Sequence, residues 1–378
     1  MVNEKSTMKF TCLQENLEKG LIISRLSGLK RTTLPILQNY LLSVEKGTLV
    51  ISATNLDIGV RAYIRGKSDV DGKVTVPQDT LVAYVKNLNQ DKIHLSVEDT
   101  KLSLTTDMGF QAEFHGQSTE EFPPMPEFSG EHRITLSVES LKKALKLVST
   151  CLPKNDFRPE ISGVLFSKIN NELVLVGTDG FRLAEKKIPI DAQEVDDFRY
   201  IIPSKSVQEV NRILDLVEDT DATIVFGESQ VLFTFSNVEV FSKLVDGVFP
   251  QYEGLIPQSF RYSVTADRAE WMQLIRLASV FSHESVNDIK CALTEEGVME
   301  VSSANAELGA NSSPLPVEIE GGFQDLFQIT FNYQFLLDGL NSFSSETVCL
   351  QANDSDSPAI MTSADDADFL YLVMPIRE

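Results

Sequence analysis

The chain has 378 residues, and 33 Lys and Arg against 55 Asp and Glu leave it a formal net charge of −22. At 42% hydrophobic and 23% charged, with 22 Phe along its length, it can fill cores and is not disordered by composition; the length suits about two or three domains. No stretch reaches the roughly 20 apolar residues of a spanning helix, and MVNEKST shows no export signal, while Cys12, Cys151, Cys291 and Cys349 lie too far apart for a CxxC site or a disulfide framework, so a soluble intracellular protein with reduced cysteines is expected.

From Phe10, FTCLQENLEKGLIISRL predicts a short strand running into a helix. YLLSVEKGTLVISATN follows as two alternating strands about a Lys46-Gly47 turn, VTVPQDTLVAYVKNL as a second strand-to-helix unit, and KIHLSVEDTKLSLTT as a closing hairpin. EEFPPMPEF at 120–128 then reads as an extended connector, because its prolines block both helix and central strand.

The order repeats from Ile134. ITLSVESLKKALKLVST predicts a helix whose Leu141, Ala144, Leu145 and Val148 share one face; GVLFSKINNELVLVGTDG turns at Asn170-Asn171; YIIPSKSVQEVNRIL and TIVFGESQVLFTFS follow; and GVFPQYEGLIPQ at 247–258 is a second extended connector. A third pass starts at Val264 with VTADRAEWMQLIRLASV, whose Trp271, Leu274, Ile275 and Ala278 repeat the helical spacing. KCALTEEGVMEVSSAN, turning at Glu296-Gly297, and ITFNYQFLLDGLNSF complete the pattern.

Matching positions lie roughly 124 to 130 residues apart, close to a third of the chain. This predicts an α+β protein of three tandem domains, 1–129, 130–258 and 259–378, each with two helices packed on antiparallel sheets of about eight strands in all. Residues 1–7 read as an extension ahead of the first domain or as a misassigned start. Unrelated α+β domains with a chance likeness would not share order, spacing and connector. Three such layers in a row make an arc, and head-to-tail pairing of arcs closes a ring when the angles permit.

A charge of −22 repels nucleic acid at long range, so any such partner must meet a local basic surface. Two first helices supply one. Between Leu13 and Arg31, Lys19, Arg25, Lys30 and Arg31 outnumber Glu15 and Glu18, and between Ser137 and Arg158 five bases face Glu139 and Asp156. The segment 204–219 breaks the trend, with Lys205 and Arg212 against Glu209, Asp215, Glu218 and Asp219. Exposed lysines on a helix usually mark a solvated face, so charge alone does not settle the partner. An enzyme is disfavoured: His94, His115, His132 and His283 form no HExxH, no GxxxxGK[ST] or GxSxG occurs, and Asp179 in TDGFR sits where Asp caps a turn. A protein-binding scaffold without a DNA role remains the second alternative.

MKFTC at Met8–Cys12, TLPIL at Thr33–Leu37, GTDGFRLA at Gly177–Ala184, KLVDGVFPQY at Lys243–Tyr252 and YLVMPIRE at Tyr371–Glu378 together resemble the bacterial DNA sliding clamp family, the beta subunit of DNA polymerase III. The resemblance implies a homodimer of three-domain protomers joined head to tail in a closed ring around double-stranded DNA. It also implies a clamp loader, a replicative DNA polymerase and other replication and repair proteins carrying linear motifs as partners. No catalysis, cofactor, metal or membrane is implied, and the location would be the cytoplasm, at the nucleoid.

By the same resemblance, partner peptides dock between the second and third domains on Ile161, Thr178, Gly180, Phe181, Arg182, Leu183, Pro250, Leu255, Leu372, Met374, Pro375 and Ile376, with Arg377 at the rim. Aliphatic groups and an adaptable Met suit apolar peptide anchors. Phe181 stands where the family often has His, Gly254 where it often has Arg, and Glu378 where an apolar residue is common, so this pocket should be more apolar and less basic. The resemblance assigns DNA contacts to Lys30, Arg31, Lys154, Asn155 and Arg158, with only His283 at the like place in the third block. It assigns the dimer interface to Phe110 and Ala112 against Val280 and Phe281.

Overall fold

The structure, a computed structural model, describes residues 7–26, 34–89, 91–125, 128–153, 155, 158–283, 285–294, 297–320 and 327–377. The chain divides into two compact units, Met1–Leu141 with Lys205–Leu244, and Lys142–Ser204 with Val245–Glu378.

Two helices with their strands recur three times. The first set is β1 (Thr7–Leu13), α1 (Gln14–Ser24), β2 (Asn39–Glu45), β3 (Thr48–Thr54), β4 (Ile58–Arg65), β5 (Lys67–Val70), β6 (Gly72–Pro77), α2 (Gln78–Lys86), β7 (Lys92–Glu98), β8 (Lys101–Thr106) and β9 (Gln111–His115). The second is β10 (His132–Ser137), α3 (Val138–Ser149), β11 (Gly163–Ile169), β12 (Glu172–Thr178), β13 (Arg182–Pro189), β14 (Phe198–Pro203), α4 (Ser204–Leu214), β15 (Asp221–Phe226), β16 (Gln230–Phe235) and β17 (Val238–Lys243). The third is β18 (Tyr262–Asp267), α5 (Arg268–Ser279), β19 (Asp288–Leu293), β20 (Val298–Asn305), β21 (Gly309–Ile319), β22 (Phe327–Asn332), α6 (Tyr333–Ser342), β23 (Thr347–Ala352), β24 (Ala359–Thr362) and β25 (Phe369–Val373).

In the first unit, β5-β1-β7-β8-β9 form one sheet and β10-β15-β16-β17-β4-β3-β2-β6 another. The second unit holds one sheet of twelve strands, β14-β11-β12-β13-β25-β24-β23-β18-β21-β20-β19-β22. Each unit thus joins two repeats edge to edge. The last strand of one repeat pairs antiparallel with a strand of the repeat before it, β17 with β4 and β25 with β13. Pairing covers edges that would otherwise invite aggregation.

Local sequence explains the elements. Lys46 (φ +50°) and Gly47 (φ +84°) both take the left-handed conformation that a two-residue hairpin between β2 and β3 needs. The β11–β12 hairpin turns through Asn170 at φ +54°. The side chain of Asp267 caps α5 by accepting from the Glu270 N–H at 2.7 Å, and Asn332 caps α6 through the Gln334 N–H at 2.9 Å. Leu141, Ala144, Leu145 and Val148 are all buried along α3. On α5 the buried stripe is Trp271, Met272, Ile275 and Ala278, and Leu274 is only half-buried. α1 packs against β3, β4 and α2, and α5 packs against α6 and the β18–β21 region.

Three expectations change in detail. Thr7, counted in the sequence with the extension, instead opens β1 opposite Glu98 of β7, and residues 1–6 lie outside the described residues. The prolines of both connectors leave room for a single 3-10 turn, Thr119–Glu121 in one and Glu253–Leu255 in the other, so neither connector is extended throughout. The first repeat has an added short strand, β5, which pairs with β1.

Candidate functional site

The chain leaves β12 at Thr178 and enters β13 at Arg182 through a tight turn. Thr178 Oγ1 donates to the Arg182 carbonyl at 2.7 Å and accepts from the Gly180 N–H at 3.0 Å. Asp179 Oδ1 accepts from the N–H groups of Phe181 (3.0 Å) and Arg182 (3.1 Å), which is the turn-capping role its residue type suggests. Gly180 sits at φ +91°, open to glycine and strained for other residues.

The turn sends two neighbouring side chains opposite ways. Phe181 is pushed outward, 64% exposed, and its ring stacks on Phe335 of α6 with centroids 6.5 Å apart. Arg182 turns inward and is only 8% exposed. Its Nε donates to Asp179 Oδ2 at 2.9 Å, its Nη1 to Asp338 Oδ2 at 2.5 Å, and its guanidinium lies 4.6 Å from the Phe335 ring centroid. Two carboxylates and an aromatic face hold the cation, so it orders the site and has little charge to spare for a ligand.

These groups line an open cleft of about 600 Å³, walled further by Leu152, Pro153, Asn155, Arg158, Ile161, Ser162, Gly180 and Gln334. Tyr371, fully buried, donates to the Phe335 carbonyl at 2.8 Å, and burial pushes its phenol up so that it stays neutral. Leu183 and Leu372, next along β13 and β25, belong to an apolar cluster with Phe249 and Tyr252, and Met374 packs against it. Tyr252 donates to Glu185 Oε2 at 2.6 Å; burial and then that carboxylate push its phenol up. The Met374 N–H donates to the Phe181 carbonyl at 2.8 Å, which ties this apolar cluster to the turn. The cleft sets the apolar groups Leu152, Pro153, Ile161, Phe181 and Phe335 beside the polar groups Asn155, Arg158, Ser162, Asp179, Arg182, Gln334 and Asp338, a mixed surface that suits a ligand with both apolar and polar parts. Among the described residues no group of three His, Cys, Asp or Glu is placed to hold a metal ion.

Of the residues assigned to peptide docking, Ile161, Gly180, Phe181 and Arg182 line the cleft. Thr178 is buried under the turn, and Leu183 and Leu372 are buried beside it. Met374, Pro375 and Ile376 are half-buried; the Ile376 N–H donates to the Thr330 carbonyl of β22 at 2.7 Å, and Arg377 is exposed. Pro250 is exposed next to buried Phe249, and Leu255 is exposed at the end of its 3-10 turn. Asn155 and Arg158, assigned to DNA, stand on the cleft wall with the peptide residues. Lys30, Arg31, Lys154 and Glu378 lie outside the described residues. At the assigned interface, Phe110 and Val280 are exposed, while Ala112 and Phe281 are half-buried. Phe335 and Asp338 escape sequence reading; the signal available is that they lie three apart on one face of α6.

Comparison with known proteins places these features. Family models of the DNA polymerase III beta subunit match in order, the N-terminal domain over residues 8–126, the central domain over 135–251 and the C-terminal domain over 253–377. The beta sliding clamp of Synechocystis sp. is 26% identical over 393 residues, covering 98% of this chain and 99% of that protein. The beta sliding clamp of Staphylococcus aureus is 28% identical over 357 residues, covering 92% and 93%. Among solved structures, the Pseudomonas aeruginosa sliding clamp bound to griselimycin superposes with a TM-score of 0.90 at 29% identity, covering 98% of this chain and all of that one. The Thermotoga maritima DNA polymerase III beta subunit does so with a TM-score of 0.90 at 26% identity.

Three clamp domains in one chain define a non-catalytic processivity factor and not an enzyme. This chain belongs to the DNA polymerase III beta subunit family, the bacterial DNA sliding clamps. No helix among the described residues is long and apolar enough to cross a membrane.

Proposed function

We propose that two copies of this chain close head to tail around duplex DNA, with domains near 1–129, 130–258 and 259–378, and hold replication proteins through the cleft at Phe181. The observation that carries the docking role is the cleft itself: about 600 Å³, with Leu152, Pro153, Ile161 and Phe335 on its walls and a half-stacked, exposed Phe181 at its front. A relative from Pseudomonas aeruginosa is described as bound to griselimycin, which supports ligand capture by this fold. Lys30, Arg31, Lys154, Asn155 and Arg158 would make weak phosphate contacts that let the ring slide, and enclosure would prevent escape. A clamp loader would open it, and the cytoplasm, at the nucleoid, is where it would act.

Lifetime on DNA tests this. Loaded by its cognate loader, the protein should stay on nicked circular DNA far longer than on linear DNA of the same length. Equal lifetimes would remove the topological mechanism.

A further inference from the structure

The 178–182 turn has a replica in the other unit. Thr54 Oγ1 donates to the Ile58 carbonyl at 2.9 Å and accepts from the Leu56 N–H at 3.0 Å, as Thr178 does with Arg182 and Gly180. Asn55 Oδ1 accepts from the N–H groups of Asp57 (3.0 Å) and Ile58 (2.8 Å), as Asp179 does with Phe181 and Arg182. The strand beyond is also covered in the same way: the Lys243 N–H donates to the Asp57 carbonyl at 2.9 Å, matching Met374 to Phe181 at 2.8 Å. In the connectors, FPPM at 122–125 stands in the place of FPQY at 249–252.

The differences give the copy its character. Leu56 replaces Gly180 yet keeps φ +77°, a conformation that L side chains avoid, and its side chain is 47% exposed. A leucine held in that state with its side chain in water costs stability without packing a core, the kind of strain that collects at binding sites. Gly59 replaces Leu183, and Met125 moves into the space: a Cβ on Gly59 would lie 2.7 Å from Met125 Cε. What remains is a pocket of about 180 Å³ with Leu56, Ile58, Phe241, Pro123 and Met125 among its walls. The charges at its mouth, Lys243 and Asp57, pair with each other at 3.0 Å, so nothing there calls for a charged ligand.

We propose that this pocket is a second docking site for linear peptides, taking one uncharged apolar side chain of leucine or methionine size between Leu56 and Met125. Size excludes a longer motif, the neutral mouth selects against charge, and the flexible thioether adapts the wall to the guest. The ligand class rests on the peptide reading of the Phe181 cleft.

Two methionines report the two sites separately. The full chain carrying 13C-methyl methionine is titrated with acetylated, amidated Ser-Gly-Leu-Gly-Ser and, as control, with Ser-Gly-Asp-Gly-Ser; Met125→Leu and Met374→Leu assign the signals. The Met125 methyl should shift saturably, in the millimolar range, with the leucine peptide and stay still with the aspartate one. Leu56→Gly, which restores the glycine of the other turn and relieves strain, should weaken the Met125 response about tenfold or more and leave the Met374 response unchanged. An unmoved Met125, or a Met125 shift indifferent to Leu56→Gly, overturns the site whatever Met374 does. A shifted Met125 beside an unmoved Met374 supports the site and counts against the Phe181 cleft.

Discussion

Arg182 has two carboxylate partners in different surroundings: the Asp179 side chain is 15% exposed and also caps two backbone N–H groups, whereas Asp338 is 46% exposed. Asp179→Ala strands those two donors and one side of a nearly buried guanidinium, for a loss of about 3 kcal/mol. Asp338→Ala removes a contact that water can replace, for about 1 kcal/mol or less. Urea unfolding midpoints of the two variants rank them, and the reverse order would mean that Asp338 holds the site. Asp366 is the residue to follow in acid. Burial works against its charge, but hydrogen bonds from Lys143 (2.7 Å) and Lys186 outweigh that and hold its carboxyl below the usual carboxylate range. Because the folded value lies below the unfolded one, near 3.9, its contribution is complete above about pH 5 and fades as pH falls through the folded value. Asp366→Asn should therefore lower stability at pH 7 and flatten the acid limb of stability against pH; an unchanged limb would show the two lysines do not favour the ionised form.

Helices α5 and α6 show what periodicity delivers and where it stops. Gly339 looks like a weak point of α6, and alanine there should gain about 1 kcal/mol of helix propensity. The packing says otherwise: a Cβ at 339 would lie 2.6 Å from Tyr371 Cε1, and that ring is fully buried and held through its hydroxyl to the Phe335 carbonyl. Overpacking of this kind costs roughly 1–3 kcal/mol, so Gly339→Ala should be net destabilising by about 1 kcal/mol. Gly254→Ala, whose Cβ would meet nothing within 4 Å, should fall within about 0.5 kcal/mol of wild type. Chemical denaturation of both tests the contrast. The same contacts mark the limits of reading sequence. The stripe Leu141 to Val148 was legible because one face of α3 is apolar and the rest polar. On α5, adjacent Trp271 and Met272 turn the buried stripe away from Leu274, which spacing alone does not reveal. β5 was not legible: KSDV carries no alternation, and its place depends on Gly66 and Gly72 letting the backbone close on Thr11 and Thr7. In the cleft, TDGFR announces its own turn through Asp179 and Gly180, but nothing local tells that Arg182 reaches Asp338, 156 residues away.

Across the whole chain, threefold repetition leaves apolar surface that neither unit covers by itself. In the first unit, β9 is the outer strand of its sheet, and the turn before it exposes Met108 and Phe110. In the second, Leu277 and Val280 at the end of α5 and Leu308 before β21 are exposed, and Phe281 lies beside Gly309. Two different patches on one protomer suit a head-to-tail contact, in which each interface joins one patch to the other and a closed dimer contains the contact twice. Sedimentation of the wild type should then give a mass near twice 42.0 kDa. In the proposed ring, Phe110→Lys alone would set an ammonium against an apolar partner in both interfaces, and Val280→Asp alone would do the same with a carboxylate, so each should shift the protein toward the 42.0 kDa protomer. Combining the two substitutions brings the ammonium of one copy to face the carboxylate of the other in each interface, and the double variant should recover dimer relative to either single variant. A double variant that dissociates more than both would show that the patches do not meet, because two independent buried charges add their costs and two facing ones of opposite sign offset each other.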